Sequence, residues 1–402
     1  MNLSDVAWLT SDEGRAVLAE LPPYRADEVL TITGRLRSDG VSAEHAAVAL
    51  TQCRLRDRAA RRWGPEWADT ANRMLFTSSG AEQTTRPAVA ALRAERFTHL
   101  EPGSRVADVG CGIGTDTVAL SQLGLRVDAF EQDPVTAAVA AANLRALALE
   151  SEPSITIADV RSLPEGAWAP YHAVFADPAR RTDGRRITDP ERWSPRLSWV
   201  QSLSVENLGV KVAPGLDRSL APEGTEFAVV SDRGEVVEAG LYRGVLRESG
   251  VTRSATLLPE HLKVTDGDLP QTPARVRTVG RYIHEPDPAV IRSGLVTAVA
   301  DQLGCWLIDP QIAYLSGDDS VSSRFVSSYQ VHAVMPFSLK ALRAHLREND
   351  VGHVVVKKRG SAVDVDELRQ SLRLRGAASG HRTVLLSRVG HRPIAIVTTP
   401  TK

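Results

Sequence analysis

Apolar positions fall into three regimes along the chain. Over residues 1–80 they recur at helical spacing, as in Ala43-Glu44-His45-Ala46-Ala47-Val48-Ala49-Leu50, and nowhere alternate as a half-buried strand would. Pro87–Phe97 continues that pattern, with proline where a first helical turn tolerates it. From Val106 short apolar runs alternate with helical stretches, which predicts a parallel α/β sheet. The candidate strands are Arg105–Val109, Arg126–Phe130, Ile155–Ala158, Ala173–Ala176 and Gly209–Ala213, with helices at Asp116–Leu123 and Pro134–Leu149. Phe227–Val230 and Val236–Tyr242 suit a closing antiparallel pair. Beyond Arg243, Pro259, Pro270, Pro273, Pro286, Pro288 and Pro310 punctuate short elements and predict a small α+β domain. A last unit reads as strand Tyr329–Val334, helix Leu339–Asn349, strand Val354–Lys357, helix Val365–Leu374, and strands Thr383–Leu386 and Ile394–Val397.

The chain has 402 residues, 43% hydrophobic and 24% charged, the composition of a soluble protein of two to four domains. Its start lacks a basic stretch followed by an apolar core, and no apolar run approaches the roughly 20 residues that span a bilayer, so a cytoplasmic protein is expected. Cys53, Cys111 and Cys305 stand far apart without ligand spacing, which argues against a disulfide framework and against a metal site. From Val331 onward 13 Lys and Arg face 5 Asp and Glu, whereas 35 face 44 before it. A basic tail on an acidic body suits a polyanionic partner, or a plain solvated surface.

The strand at Arg105 runs into Asp108-Val109-Gly110-Cys111-Gly112-Ile113-Gly114 and then a helix. Glycines serve where the backbone turns tightly and where a ligand touches main chain. Glu131 closes the next strand, placed to take ribose hydroxyls, and Asp159, followed by Val160, closes the third, within reach of an adenine edge. An acid at Asp108 repels a pyrophosphate but suits an ammonium, which separates this loop from a dinucleotide site.

Asp108–Gly114 resembles motif I of class I S-adenosylmethionine-dependent methyltransferases, and Glu131-Gln132-Asp133-Pro134 the acidic motif that follows it. The resemblance covers roughly residues 75–244. It implies a Rossmann-like seven-stranded α/β sheet that binds S-adenosylmethionine: Asp108, Gly110, Cys111, Gly112 and Gly114 at the methionine end, Glu131 with Gln132 at the ribose, Asp159 with Val160 at the adenine. Cys111 is read as a small packing residue, with no base partner to make it a nucleophile. Upstream, Phe76-Thr77 and Glu82-Gln83-Thr84-Thr85 resemble the segment lying over the cofactor in nucleic-acid methyltransferases, which adds Thr77 and Gln83; an ordinary helix entry is the alternative.

Val174-Phe175-Ala176-Asp177-Pro178-Ala179-Arg180 resembles the (Asp/Asn)-Pro-Pro-(aromatic) motif of amino-methylating enzymes, with Ala179 and Arg180 departing from it. It implies that Asp177 and Pro178 orient a target amine, with the Arg180 plane standing in for the stacking ring. Arg181, Arg185, Arg186, Arg192 and Arg196 follow, interleaved with Trp193 and Trp199, and suit a cationic clamp on a polynucleotide. The alternative is an ordered loop whose arginines pair with Asp177, Asp183, Asp189 and Glu191.

The segments Tyr282–Arg292 and Leu307–Leu315 resemble a ferredoxin-like region of a bacterial methyltransferase family, and Met335–Lys340 with Val356–Gly360 the THUMP-like domain that follows there. The expected domains are therefore 1–85 (helical), 86–245 (methyltransferase), 246–327 (ferredoxin-like) and 328–402 (THUMP-like, RNA-binding). Lys357, Lys358 and Arg359, with Arg369, Arg373 and Arg375, make a candidate phosphate-binding face, or a solvated basic surface. His284, Glu285 and Asp287 suggest a metal or a base, but Pro286 and Pro288 favour a rigid turn. The expectation is an RNA methyltransferase acting on a base nitrogen of tRNA or rRNA, monomeric or weakly dimeric. The alternatives are a methyltransferase of a protein or small molecule, and a non-catalytic RNA-binding protein that keeps the cofactor.

Overall fold

The computed structural model describes residues 1–147, 153–182, 185–374 and 377–401. It divides into two compact units, Met1–Glu226 with Glu238–Ser249, and Phe227–Val237 with Gly250–Lys402.

In the first unit residues 1–95 are helical, as the periodicity predicts. The longest helix, Ala43–Trp63, starts at Ser42, whose side chain accepts from the His45 N–H, and stops at Gly64 with φ +110°. Its stripe Ala46, Ala49, Leu50, Leu55, Ala59 and Trp63 is buried in a core that also takes in Ile113, Val139 and Ala142. The helical region thus shares its core with the sheet region. Two buried amides hold the segment Leu75–Phe76, one from each region. Gln52 bonds both the N–H and the carbonyl of Phe76, at 2.9 and 2.8 Å. Asn143 does the same for Leu75, at 2.7 and 3.0 Å, and reaches the Ile113 carbonyl at 2.9 Å.

The strands of this unit are β1 (Arg105–Val109), β2 (Arg126–Glu131), β3 (Ser154–Ile157), β4 (Ala173–Ala176), a short antiparallel pair β5 (Arg181–Thr182) and β6 (Arg185–Arg186), and β7 (Asn207–Val212). β1 lies between β2 and β4, β3 is beyond β2 and β7 beyond β4, all parallel. After β8 (Glu226–Asp232), β9 (Glu235–Arg243) returns antiparallel to β7. Every residue of β4 and β7 is buried, so they read as unbroken apolar runs rather than alternating ones. Helices Thr115–Ser121 and Pro134–Ala146 follow β1 and β2; the expected end of the second, at 148–149, lies outside the described residues.

Under the sheet Arg93 is buried between Asp116 and Glu238, with its guanidinium 4.5 Å from the Phe175 ring centre. Burial alone would lower its pKa, but the two carboxylates outweigh this and raise it.

In the second unit β10 (Arg253–Leu258) runs parallel to β8, and β11 (Leu262–Thr265) antiparallel to β10. The rest is one seven-stranded sheet. In chain order its strands are β12 (Tyr282–Pro286), β13 (Trp306–Asp309), β14 (Ile312–Gly317), β15 (Val326–Pro336), β16 (Val351–Lys358), β17 (Ala377–Val389) and β18 (Arg392–Pro400), laid out as β13-β14-β12-β15-β18-β17-β16. β15 pairs with β12 through its first residues and with β18 through its later ones, so position 327/328 falls inside a continuous strand. Alternate residues serve two cores. Val384, Leu386, Ala395 and Val397 meet the helices Leu339–Glu348 and Val365–Leu372, while Leu385 and Ile396 meet Ile283, Ile308, Tyr314 and Tyr329 on the other face. Among the described residues no helix is long and apolar enough to cross a membrane.

Candidate active site

The glycine loop closes by backbone geometry that only glycine adopts without strain. Gly110, Gly112 and Gly114 have φ of +76°, +56° and +90°. A Cβ on Gly110 would stand 2.7 Å from the Asp177 carbonyl oxygen, whereas beside Gly112 nothing lies within 4 Å. Gly110→Ala is therefore expected to lower the melting temperature by about 3 °C, from strain plus a main-chain clash; scanning fluorimetry on the cofactor-free protein checks this.

Asp108 is fully buried at the end of β1. Its Oδ2 accepts from Thr117 Oγ1 at 2.6 Å, and its Oδ1 is buried without a hydrogen-bond partner. Burial, and then the charge of Asp116, push its pKa up to about 7. A buried carboxylate oxygen with no donor suits a cationic group. Glu131 spans the loop: its oxygens accept from the N–H groups of Gly112 at 3.1 Å and Asp133 at 3.0 Å, and burial raises its pKa against those bonds. Gln132 is exposed beside it. Cys111 is buried against Ala129 and Ala140, and burial drives its thiol pKa well up, as fits packing rather than reactivity.

Asp159 lies just past the end of β3, in a different state from the one expected of a free adenine acceptor. It holds Arg161 with both oxygens, at 2.7 and 2.9 Å, and that bond lowers its pKa. Val160 beside it is buried. The upstream segment lies on the glycine loop: Gly80 packs so closely on Ile113 that a Cβ there would come within 2.7 Å of it. Thr77 caps the helix Ser78–Gln83 by accepting from the Gly80 N–H, and Gln83 is exposed. The contacts to the helix after the loop come instead from Thr84, bonded to Thr115 at 2.7 Å, and Thr85, bonded to Asp116 at 3.1 Å.

Asp177 follows β4, its N–H on the Val109 carbonyl at 2.9 Å, so the acid stands against the glycine loop. Its Oδ2 receives Lys211 Nζ at 2.6 Å, and the same ammonium donates to Thr85 Oγ1 at 3.0 Å. Lys211 was absent from the sequence-based site. The signal is a lone lysine in an otherwise apolar strand that turns out to be buried throughout.

Pro178 is buried, and Arg180 lies 6.0 Å from the Trp193 ring centre. Ala179 and Ser194 bridge through both backbone groups, which closes the arginine loop at its base. Two expectations about this loop change. Trp193 is no stacking platform, because it is buried with Nε1 on the Ile187 carbonyl, and Trp199 packs edge-on against Trp168. Nor do the described acids neutralise the arginines. Asp177 is taken by Lys211, Asp189 caps the Glu191 N–H and Glu191 bonds Ser198, while Asp183 lies outside the described residues. Arg181, Arg185 and Arg186 are exposed on the β5–β6 hairpin, and only Arg181 comes within 4.0 Å of a described carboxylate, that of Glu82.

The C-terminal basic face is split. Lys357 and Arg359 both reach Glu285, whereas Lys358 turns to the other face and donates to the Val363 carbonyl at 2.9 Å. Arg369 is 3.7 Å from Asp366, and Arg375 lies outside the described residues. His284 is buried on Ser328, its pKa pushed down to about 4 by burial, and Asp287 caps the helix Pro288–Ser293, the rigid turn expected of the two prolines. Among the described residues no group of three or more His, Cys, Asp or Glu could hold a metal.

A THUMP domain-like profile matches residues 326–400, and a profile for a domain of unknown function matches residues 2–59. Two Mycobacterium tuberculosis proteins, from strains CDC 1551 and H37Rv, are 37% identical over 350 residues, which is 86% of this chain and 93% of theirs. Each is described as an uncharacterized S-adenosylmethionine-dependent methyltransferase. A solved structure described as a methyltransferase, from Porphyromonas gingivalis W83, superposes with a TM-score of 0.72 at 19% identity, over 95% of this chain and all of that one.

Proposed function

This chain belongs to the S-adenosylmethionine-dependent methyltransferases, and from that premise we propose that it methylates a base nitrogen of RNA, a tRNA or an rRNA, in the cytoplasm. S-Adenosylmethionine supplies an electrophilic methyl on a sulfonium sulfur. Asp108 Oδ1 takes its ammonium, and Glu131 takes the ribose hydroxyls. Asp159 reaches the adenine once Arg161 gives way, with Gln132, Val160, Thr77 and Gln83 around the nucleoside. Lys211 fixes one oxygen of Asp177, leaving the other and the neighbouring carbonyls to accept from the target amine and aim its lone pair. When bound, the cofactor would supply its methyl to the nitrogen that Asp177 orients, and Asp177 or water would take that nitrogen's spare proton.

The arginine hairpin after Asp177 carries the RNA assignment. A closed stem presents Arg181, Arg185 and Arg186 to solvent on the same loop as Arg180, a few residues from the acid that would orient the acceptor. The THUMP domain-like match supports the same partner. The proposed domains remain a helical 1–85, a catalytic 86–245, a ferredoxin-like 246–327 and an RNA-binding 328–402, in a monomer or weak dimer.

Incubation with tritiated cofactor and RNA from a strain lacking the protein, followed by nucleoside mass spectrometry, tests this. Label is expected in an N-methylated nucleoside; label in a protein fraction with none in RNA overturns the RNA assignment. Replacing Arg181, Arg185 and Arg186 together by alanine is expected to reduce the slope of log affinity against log salt by about 2, at roughly 0.7 per phosphate contact on single strands. Filter binding across a salt series measures it.

A further inference from the structure

The polar end of the second unit's inner core holds a group of side chains that the methyltransferase chemistry does not use. Lys357 donates to Glu285 and its ammonium stands 5.5 Å from the Tyr329 ring centre. Arg359 Nη2 lies 3.6 Å from the other Glu285 oxygen, with its guanidinium 5.4 Å from the Tyr314 ring centre. Lys357 sits beside Leu385 of the inner core, with Arg359 just past the end of β16 and Ser387 two residues beyond Leu385 on the same face of β17. Three polar atoms on this face, Tyr314 Oη, Arg359 Nε and Ser387 Oγ, are buried without hydrogen-bond partners. Tyr314 itself is fully buried. Buried polar groups in native proteins are nearly always satisfied, so unsatisfied atoms on the face that carries this cation pair mark a place for a ligand.

The chemistry of that ligand follows from the set. Two cations face one carboxylate, a surplus of one positive charge, and the unused groups are an arginine N–H and two hydroxyls that can donate. A guanidinium fork with an ammonium beside it fits a tetrahedral oxyanion, and the side chains of Lys357 and Arg359, 37% and 29% exposed, reach solvent. We propose that Glu285, Tyr314, Tyr329, Lys357, Arg359 and Ser387 form a binding site for a single phosphate group. Glu285 is its organiser: it holds the two cations in place and opposes the anion that they bind. The phosphate comes from an RNA backbone if the RNA assignment holds, and from free phosphate otherwise.

The test uses the full chain, with inorganic phosphate titrated by calorimetry and a fluorescent single-stranded RNA by anisotropy. Tyr314→Phe, which removes only an unpartnered hydroxyl and so preserves folding, is expected to weaken phosphate about fivefold, and Lys357→Met about tenfold. Glu285→Gln is expected to tighten it about threefold, since the opposing charge goes. Affinity for S-adenosylmethionine is expected to stay constant in all three. If RNA affinity follows the same order, the source is the polynucleotide; if phosphate alone follows it, the source is free phosphate. If neither ligand responds to Tyr314→Phe and Glu285→Gln, the site is wrong, and RNA binding that still depends on the Arg181 hairpin leaves the RNA assignment standing. A wild-type protein that binds phosphate but no RNA sinks that assignment and leaves the site.

Discussion

Asp108→Asn is expected to bind S-adenosylmethionine about 100-fold more weakly at pH 8 and, without cofactor, to unfold at a higher temperature than wild type. Both effects have one cause. The carboxylate is buried, one oxygen is bonded to Thr117, the other has no donor, and Asp116 adds a second negative charge nearby. An amide keeps the Thr117 bond and removes the charge, so the cofactor-free fold gains while the ammonium loses its counter-ion, a charge-assisted bond of about 2–3 kcal/mol. The pH dependence separates this from a packing defect. Because the folded pKa, about 7, lies above the unfolded value, 3.8, the folded state holds the extra proton and wild-type stability falls as pH rises between them, then levels off. The melting-temperature gap between variant and wild type should therefore close on acidification toward pH 5. Cofactor affinity of the wild type should fall about tenfold per unit below pH 7, because the ammonium needs the ionised acid, whereas the variant should show no such slope. Calorimetry and scanning fluorimetry over one pH series give both readings, and a wild-type affinity that stays flat through pH 7 would remove Asp108 from the ammonium site.

The same residue shows what a sequence can carry. Local signals survived folding: the glycine loop, the start of the helix at Pro134, and β1 and β4, whose predicted ends coincide with the observed ones because both strands are buried and bounded by turns. What depends on distant partners did not. Lys211 reads as an oddity within an apolar strand until the fold brings it to Asp177, 34 residues away in the chain. Lys357-Lys358-Arg359 reads as one cationic run, but a strand turns alternate residues to opposite faces, and Glu285, 72 residues from Lys357, takes two of the three. Trp193 illustrates the same limit. An indole among arginines suits base stacking, yet its N–H closes the loop that presents them. Sharing of strands and cores is likewise non-local: β15 belongs to both C-terminal modules, and Ile113 of the glycine loop to the N-terminal helical core.

Lys211→Met is expected to be the most damaging single change near the acceptor site, and its repair by a second substitution identifies the cause. The ammonium is buried between Asp177 and Thr85. Removing it strands the Asp177 carboxylate beside Asp108 and takes a positive charge from Glu238, while Arg93 is already paired with Asp116 and Glu238. Breaking one side of a buried pair costs about 3–5 kcal/mol, which for a protein of this size lowers the melting temperature by about 5 °C. Combining it with Asp177→Asn removes both charges and should recover most of that loss. Methyl transfer should not recover, because the amide of the double variant is held by no ammonium and the acceptor nitrogen loses the oriented oxygen that aims it. Lys211→Arg supplies the intermediate case: charge is kept but the longer fork misplaces Asp177, so stability should lie near wild type and turnover well below it. Cofactor affinity should be within a few-fold of wild type in Lys211→Arg and in the double variant, since neither change touches the Asp108 or Glu131 contacts. A double variant that regains both stability and turnover would show Lys211 to be a folding residue with no part in placing Asp177.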